Sequence, residues 1–256
     1  MKKKVIHLSY FYNEELHEKP QKSYSSRKLY FSHSIFITLY IYRHLYYALN
    51  LPKIDDGKII LDLGCGDGPF FPTLNRYGKC IIGLDFSLQL ILKAKALIRY
   101  IEYPLKKVLL LNADGQHIPI KDKSIDIIYC LETFEHIPNT NRLISEIFRI
   151  LKDDGELIYS IPIEIGISLL VRQFIGKITK FPRDTYKFKE LLTNSLLKKP
   201  SKRINNPWNH KNFDWRIIQQ SIKRKFKLIS QIYSPFPFLK SLNPTAIFNV
   251  RKLASH

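Results

Sequence analysis

The stretch Ile59-Ile60-Leu61-Asp62-Leu63-Gly64-Cys65-Gly66-Asp67-Gly68-Pro69-Phe70 decides how the rest of the chain is read. Its apolar opening suits a parallel strand covered on both faces, where polar and apolar residues need not alternate. Glycines at every second position, Gly64, Gly66 and Gly68, suit a sharp strand-to-helix turn at which a ligand approaches bare backbone. The turn predicts a binding site at the end of the strand and leaves the ligand open.

Outward from this turn the chain alternates. A short helix is expected over 69–77, with proline tolerated in its first turn. Apolar strands are expected over 80–84, 107–111, 124–131 and 156–161. Helices are expected over 87–100, capped by Ser87, and over 141–151. Lys152-Asp153-Asp154-Gly155 reads as a left-handed stop to the second of these. Strand and helix in this rhythm give right-handed βαβ units and a parallel sheet, whose ligands sit at the carboxyl ends of the strands. Asp62, Asp85, Asp114 and Glu132 all fall at or just past such ends. Independent solvated acids would have no reason to do so, whereas one ligand spanning adjacent loops explains the pattern. Beyond 162 the alternation breaks. Amphipathic helical segments are expected over 163–180 and 184–197, then a helix capped by Asn212 or Asp214 and reaching 223. Two last strands, 226–233 and 246–253, follow.

The chain has 256 residues, and 45% hydrophobic with 13% aromatic content excludes disorder. Lys and Arg number 41 against 22 Asp and Glu, a formal net charge of +19. That charge predicts attraction to nucleic acid, anionic lipid or acidic small molecules; compositional bias toward lysine would produce it equally. Cys65, Cys80 and Cys130 form no CxxC pair, so neither a metal site nor a disulfide framework is expected. A reducing cytoplasm is the default. Met1-Lys2-Lys3-Lys4 starts like a signal sequence, but 9–22 is polar and no apolar core follows. Residues 1–28 read as a basic arm. Phe31, Ile35, Leu39, Tyr42, Tyr46 and Leu49 then recur at helical spacing within 29–51. The uninterrupted apolar run, 35–42, is far short of the roughly 20 residues a membrane span needs. The helix therefore packs on the domain or covers a membrane-facing or substrate-facing surface.

A dinucleotide site would call for G-x-G-x-x-G with an acid about 20 residues later; here the spacing is G-x-G-x-G with Asp62 ahead of it. Leu61 to Gly68 resembles motif I of the class I S-adenosylmethionine-dependent methyltransferases. Gly83-Leu84-Asp85-Phe86-Ser87 is similar to their ribose motif and Asn112-Ala113-Asp114 to their adenine motif. Asp126-Ile127-Ile128-Tyr129-Cys130 and Leu151-Lys152-Asp153-Asp154-Gly155-Glu156-Leu157 resemble their fourth strand and fifth-strand entry. The resemblance covers about 59–161. It implies a Rossmann-like α/β fold: a seven-stranded, mostly parallel sheet with an antiparallel last strand and helices on both faces. Residues 1–51 would be a helical N-terminal extension, 52–256 the methyltransferase domain, and 162–212 a helical insertion after strand 5 that covers the acceptor.

The resemblance also implies roles. Gly64, Cys65 and Gly66 would bring backbone N–H groups to the cofactor. Asp62 would orient its methionyl amine, Asp85 would accept both ribose hydroxyls, and Phe86, Cys130 and Leu131 would border it. Asp114 would accept from the adenine amino group, with Ala113 leaving room for the ring and offering its N–H. Each of these acids also has a plain reading as a turn or cap residue. The loop Cys130-Leu131-Glu132-Thr133-Phe134-Glu135-His136-Ile137-Pro138 is similar to the Glu-x-x-Glu-His loop of small-molecule methyltransferases, including the ubiquinone-biosynthesis O-methyltransferases. It lacks the Asp/Asn-Pro-Pro-aromatic and Pro-Cys motifs of DNA-modifying relatives, so DNA is not an expected partner.

Methyl transfer needs an in-line nucleophile, and most of its acceleration comes from positioning. His136 is the first candidate base, because histidine titrates near neutrality; bracing the loop is its plainer role. His210 is the second, within Trp208-Asn209-His210-Lys211, and Glu132, His136 and His210 are the candidate acceptor contacts. The expected acceptor is small or lipid-like and methylated at oxygen. A peripheral association with anionic membrane would use 29–51 and 163–180 as an apolar, basic-rimmed cover. RNA is an alternative acceptor, held by Lys198, Lys199, Lys202, Arg203, Lys211, Arg216 and the 223–227 cluster. A non-catalytic, cofactor-binding partner subunit is a third reading.

Overall fold

The structure is a computed structural model and describes residues 2–5, 35–100, 107–179, 186–200 and 211–253. Apart from residues 2–5, the basic arm lies outside the described residues, as do Lys202, Arg203 and His210. In chain order the elements are α1 (Ile35–Asn50), β1 (Ile59–Leu63), α2 (Phe71–Leu74), β2 (Cys80–Asp85), α3 (Leu88–Tyr100), β3 (Val108–Asn112) and β4 (Ile125–Cys130). There follow α4 (Thr140–Ile150), β5 (Leu151–Pro162), α5 (Ile167–Thr179), α6 (Phe188–Ser195), α7 (Trp215–Lys223), β6 (Phe226–Ser234) and β7 (Thr245–Lys252). A single 3₁₀ turn occupies Phe134–His136, and Pro237–Leu242 holds two, separated by a kink at Lys240.

The seven strands form one sheet in the order β3-β2-β1-β4-β5-β7-β6. β1 through β5 pair in parallel, and β7 runs antiparallel to both its neighbours. Strand periodicity divides the core in two. Leu61, Leu63, Ile128, Cys130, Leu157 and Tyr159 face the layer of α4 and α7, where Leu143, Ile147, Ile218 and Ile222 are buried. Ile60, Ile127, Tyr129 and Ile158 face the other layer, packed with Phe71, Leu74, Ile91, Ala94 and, from α1, Leu45, Ala48 and Leu49. The far face of α1 leaves Leu39 and Tyr42 exposed. No helix among the described residues is long and apolar enough to cross a membrane.

Most expected boundaries hold to within two residues, and the caps explain why. Asn139 accepts from the Arg142 N–H at 3.0 Å to start α4. Asp214, rather than Asn212, caps α7 by accepting from the Arg216 N–H at 3.1 Å. Asn212 is in the left-handed region and its side chain accepts from Asn194. The helix expected over 69–77 is a single turn, 71–74.

The left-handed stop at Gly155 is not present. α4 ends at Leu151 in extended backbone, which leads straight into a twelve-residue β5. Gly155 sits inside an irregularity of the β4–β5 pairing and is not among the positive-φ glycines. A Cβ there would meet Leu151 Cδ2 at 2.8 Å and the Lys152 carbonyl oxygen at 3.0 Å. Glycine is needed at this position for room, not for backbone handedness.

Candidate active site

The turn after β1 has three glycines at positive φ: Gly64 at 77°, Gly66 at 57° and Gly68 at 79°. Residues with a Cβ rarely adopt this backbone. Close packing adds a second demand, since a Cβ on Gly64 would lie 2.3 Å from Thr133 Oγ1. Thr133 Oγ1 also lies 3.3 Å from the Leu63 carbonyl, to which it can donate, so the ends of β1 and β4 are fitted to one another.

The backbone donors of this turn are already engaged, contrary to the expectation that they would be offered to a cofactor. The Gly64 and Cys65 N–H groups both donate to the Leu84 carbonyl, at 2.8 and 3.0 Å. The Gly66 N–H donates to Asp85 Oδ2 at 2.9 Å. The glycines thus act through shape, and through holding Asp85. Similarly, the Ala113 N–H is not available, because it continues the β2–β3 ladder by donating to the Asp85 carbonyl at 3.1 Å. Asn112 reinforces that crossing by donating to the Asp85 and Phe86 carbonyls.

Asp85 ends β2 with each oxygen accepting one backbone N–H, Oδ1 from Ser87 at 2.8 Å and Oδ2 from Gly66. A carboxylate has about four acceptor sites, so two remain, one on each oxygen. Burial raises its pKa, opposed by these two hydrogen bonds. Asp62 is 6% exposed, and no donor among the described residues reaches its carboxylate. Burial, with Asp85 nearby, pushes its pKa up to about 7. An acid this enclosed and without a donor is stabilised by an incoming cation such as an ammonium group. Asp114 is held by Gln116, whose N–H and side-chain amide donate to it at 2.8–3.1 Å. Phe86, 78% exposed, stands open at the mouth of β2. The thiols of Cys65 and Cys130 are buried, and burial drives both pKa values well up, so neither is a nucleophile.

Past β4, Glu132 has a left-handed backbone, φ 48°. Its N–H donates to Ser160 Oγ at 2.9 Å, and that hydroxyl donates back to Glu132 Oε1 at 2.9 Å. His136 Nε2 lies 4.0 Å from Glu135 Oε1, with its side chain one-third exposed. Helix α5 brings Arg172 over this end of the sheet, where it pairs with the buried Glu164. Ser160, Glu164, Arg172 and Thr133 were not singled out from the sequence. The available signal was a lone polar or charged residue inside an apolar run, as in Ile158-Tyr159-Ser160-Ile161 or Leu170-Val171-Arg172. The residues expected to form a basic patch are partly engaged elsewhere. Lys211 pairs with Glu190, Arg216 with Asp214, and Lys225 donates to Ser145.

Residues 61–159 match the sequence family described as "Methyltransferase domain", and the sheet order, with its antiparallel β7, accords with that match. Among its relatives, the "Ubiquinone biosynthesis O-methyltransferase" of Glaesserella parasuis is 30% identical over 125 residues, 46% of this chain and 53% of that protein. The chain spans about half the length of the curated relatives it matches. Two solved structures share the fold: an S-adenosylmethionine-dependent methyltransferase from Methanosarcina mazei and another from Aquifex aeolicus. The first superposes with a TM-score of 0.55 at 18% identity over 79% of this chain and 95% of its own. The second gives 0.55 at 13% identity over 90% and 100%.

Proposed function

We propose that this protein transfers the methyl group of S-adenosylmethionine to oxygen on a small or lipid-like acceptor. The cofactor, when bound, supplies a methyl group on a positively charged sulfur. The carrying observation is the state of Asp62 and Asp85: one enclosed carboxylate without a donor, beside one with a free acceptor site on each oxygen. That pair fits an amino acid's ammonium group and a ribose diol. Asp114 and Phe86 would meet the adenine, with Gln116 yielding one of its bonds to Asp114. Gly64, Cys65, Gly66, Ala113, Cys130 and Leu131 shape the walls; for Cys130 only the backbone serves, since its side chain is fully buried. Glu132 and His136 face the acceptor, with 162–212 as its cover over the 52–256 domain, and 1–51 as an extension.

The acceptor end is rich in acids, with Glu132, Glu135 and Glu164 near one another, although the protein as a whole carries +19. This favours a neutral hydroxyl compound over a phosphate-rich one. The exposed Ile167, Val171 and Phe174 of α5, with Phe188 of α6 and Leu196 just past its end, support delivery from an anionic membrane surface. Calorimetry with S-adenosylmethionine tests the central reading: binding is expected, and its absence refutes it. Sedimentation with liposomes tests the second, which fails if retention ignores anionic lipid.

A further inference from the structure

We propose that Glu132 is the catalytic residue that takes the acceptor's hydroxyl proton, with Ser160 and Arg172 as its positioning residues. The inference rests on the methyltransferase reading and assigns the proton to a residue other than the histidine of the same loop.

Three observations carry it. First, a non-glycine residue at φ 48° is strained and persists only where the surroundings over-determine it. Here the surroundings are Ser160, which accepts from the Glu132 N–H and donates to its Oε1, each at 2.9 Å. Backbone and side chain are thereby fixed together on β5, the strand beside β4. Second, the exchange with Ser160 occupies one oxygen only. Oε2 accepts from nothing among the described residues and is not sealed from solvent, so it is open to an acceptor. Third, Arg172 of α5 lies close enough to this carboxylate to favour its charged form. Its guanidinium pairs with Glu164 and keeps a buried Nε without a partner. The charged groups facing Glu132 are Glu135 and His136 on its own loop and Arg172 from the cover. Arg172 also feels Glu164, Tyr40 of α1 and Tyr186.

Burial and Glu135 push the Glu132 pKa up to about 8, against Ser160, Arg172 and His136. A base in this range matches a reaction near neutrality. In the step itself the acceptor's O–H bond breaks and its proton passes to Glu132 Oε2. The freed electron pair on oxygen bonds the methyl carbon, and the carbon–sulfur pair returns to sulfur, which becomes a neutral thioether. Glu132 then releases its proton to solvent.

The test needs no acceptor. Infrared difference spectra of the full chain should show a protonated carboxylic acid titrating near the pH of the raised Glu132. The band should be absent in Glu132→Gln and should move to higher pH in Arg172→Met. S-Adenosylmethionine and S-adenosylhomocysteine differ by one methyl group and one positive charge on sulfur. If Glu132 stands at the transfer point, the charged ligand should lower its midpoint by about one pH unit more than the neutral one. A Glu132 with a purely structural role would titrate alike with both, and that result, or a band that survives Glu132→Gln, overturns the proposal. Should Glu132→Gln not fold, Ser160→Ala serves, and an unmoved band there is equally fatal. Calorimetry separates the two levels. Failure of wild-type protein to bind either ligand defeats the methyltransferase reading, whereas normal binding with identical titrations defeats only the role of Glu132.

Discussion

The two ends of the sheet treat their acids in opposite ways. At the amino end, Asp126 accepts from the Ile59 N–H at 2.9 Å and pairs with Lys152 at 2.9 Å and Lys58 at 3.7 Å. Glu146 and Asp122 share Arg149, and Glu156 takes Arg251. Burial pulls on Asp126, but the Ile59 N–H and Lys152 outweigh it and hold the acid below its ordinary range. At the carboxyl end, Asp62, Asp85 and Glu132 are all raised, with burial the first cause each time. A chain with 41 basic residues has withheld lysine from these acids. The amino-end acids have their cations within the chain, whereas Asp62, Asp85 and Glu132, the acids proposed to meet a ligand, keep raised pKa values.

The largest expected effect is at the glycine turn. Gly64→Ala adds a Cβ at 2.3 Å from Thr133 Oγ1 and forces a side-chain-bearing residue to φ 77°. Handedness and overpacking together should cost about 2–5 kcal/mol, read from urea unfolding. Gly155→Ala, at the amino end, meets the flexible Leu151 side chain at 2.8 Å without the handedness penalty and should cost less. Equal losses would show that space alone selects glycine at both ends.

The next pair tests the comparison directly. Asp85→Ala should weaken S-adenosylmethionine binding by about 1.5–3 kcal/mol, roughly ten- to hundredfold, with little change in unfolding. Asp126→Ala should do the reverse. It strands the Ile59 N–H and two lysines and costs about 1–3 kcal/mol of stability, with binding intact. A swap of these outcomes would break the division of labour.

Proton linkage gives a smaller effect of opposite sign at the two ends. Asp62 and Glu132, at about 7 and about 8 in the folded protein, lie near 4 once unfolded. Between those values the folded state binds more protons than the unfolded one, so their contribution to stability falls as pH rises through that window. Asp126, depressed on folding, contributes stability above its unfolded value and loses it as pH falls through its folded one. Asp62→Asn and Glu132→Gln should therefore flatten the decline of unfolding free energy from about pH 5 to about pH 8. S-Adenosylmethionine should flatten it too, since its ammonium group favours the charged Asp62. A decline that survives both substitutions would place the titrating groups elsewhere.

The comparison also explains what could be read from the chain. Strand-end acids were legible because β-alternation and glycine spacing are local, and Asp62, Asp85 and Glu132 each follow their own strand. The surroundings of Glu132 were not. Ser160 and Arg172 meet Glu132 only because β5 lies beside β4 and α5 folds back over both, and no spacing along the chain encodes that approach. The use of the turn's N–H groups was hidden for the same reason. Gly64 and Cys65 donate to Leu84 across a strand junction that the motif does not display. Gly155 was misread because a helix stop and a crowded strand entry both ask for glycine.

The smallest effect is the most exacting for the comparison. Lys123 and Asp153 form an amino-end ion pair at 2.9 Å, with side chains 60% and 63% exposed. Asp153 is held below its ordinary value, with Lys123 the first cause and Lys252, at 3.4 Å, contributing. Water screens such a pair, and holding two long side chains in one geometry offsets most of the attraction. Removing one positive charge from a +19 protein also relieves repulsion. Lys123→Ala should thus leave the urea midpoint unchanged at moderate salt, since Lys252 still neutralises Asp153. If the midpoint falls measurably, and recovers when salt is raised for both proteins, the exposed Lys123–Asp153 attraction rather than burial carries stability at the amino end. The contrast between the two ends would then be one of exposed ion pairing, and the raised acids at the carboxyl end would no longer single out a ligand site on that ground.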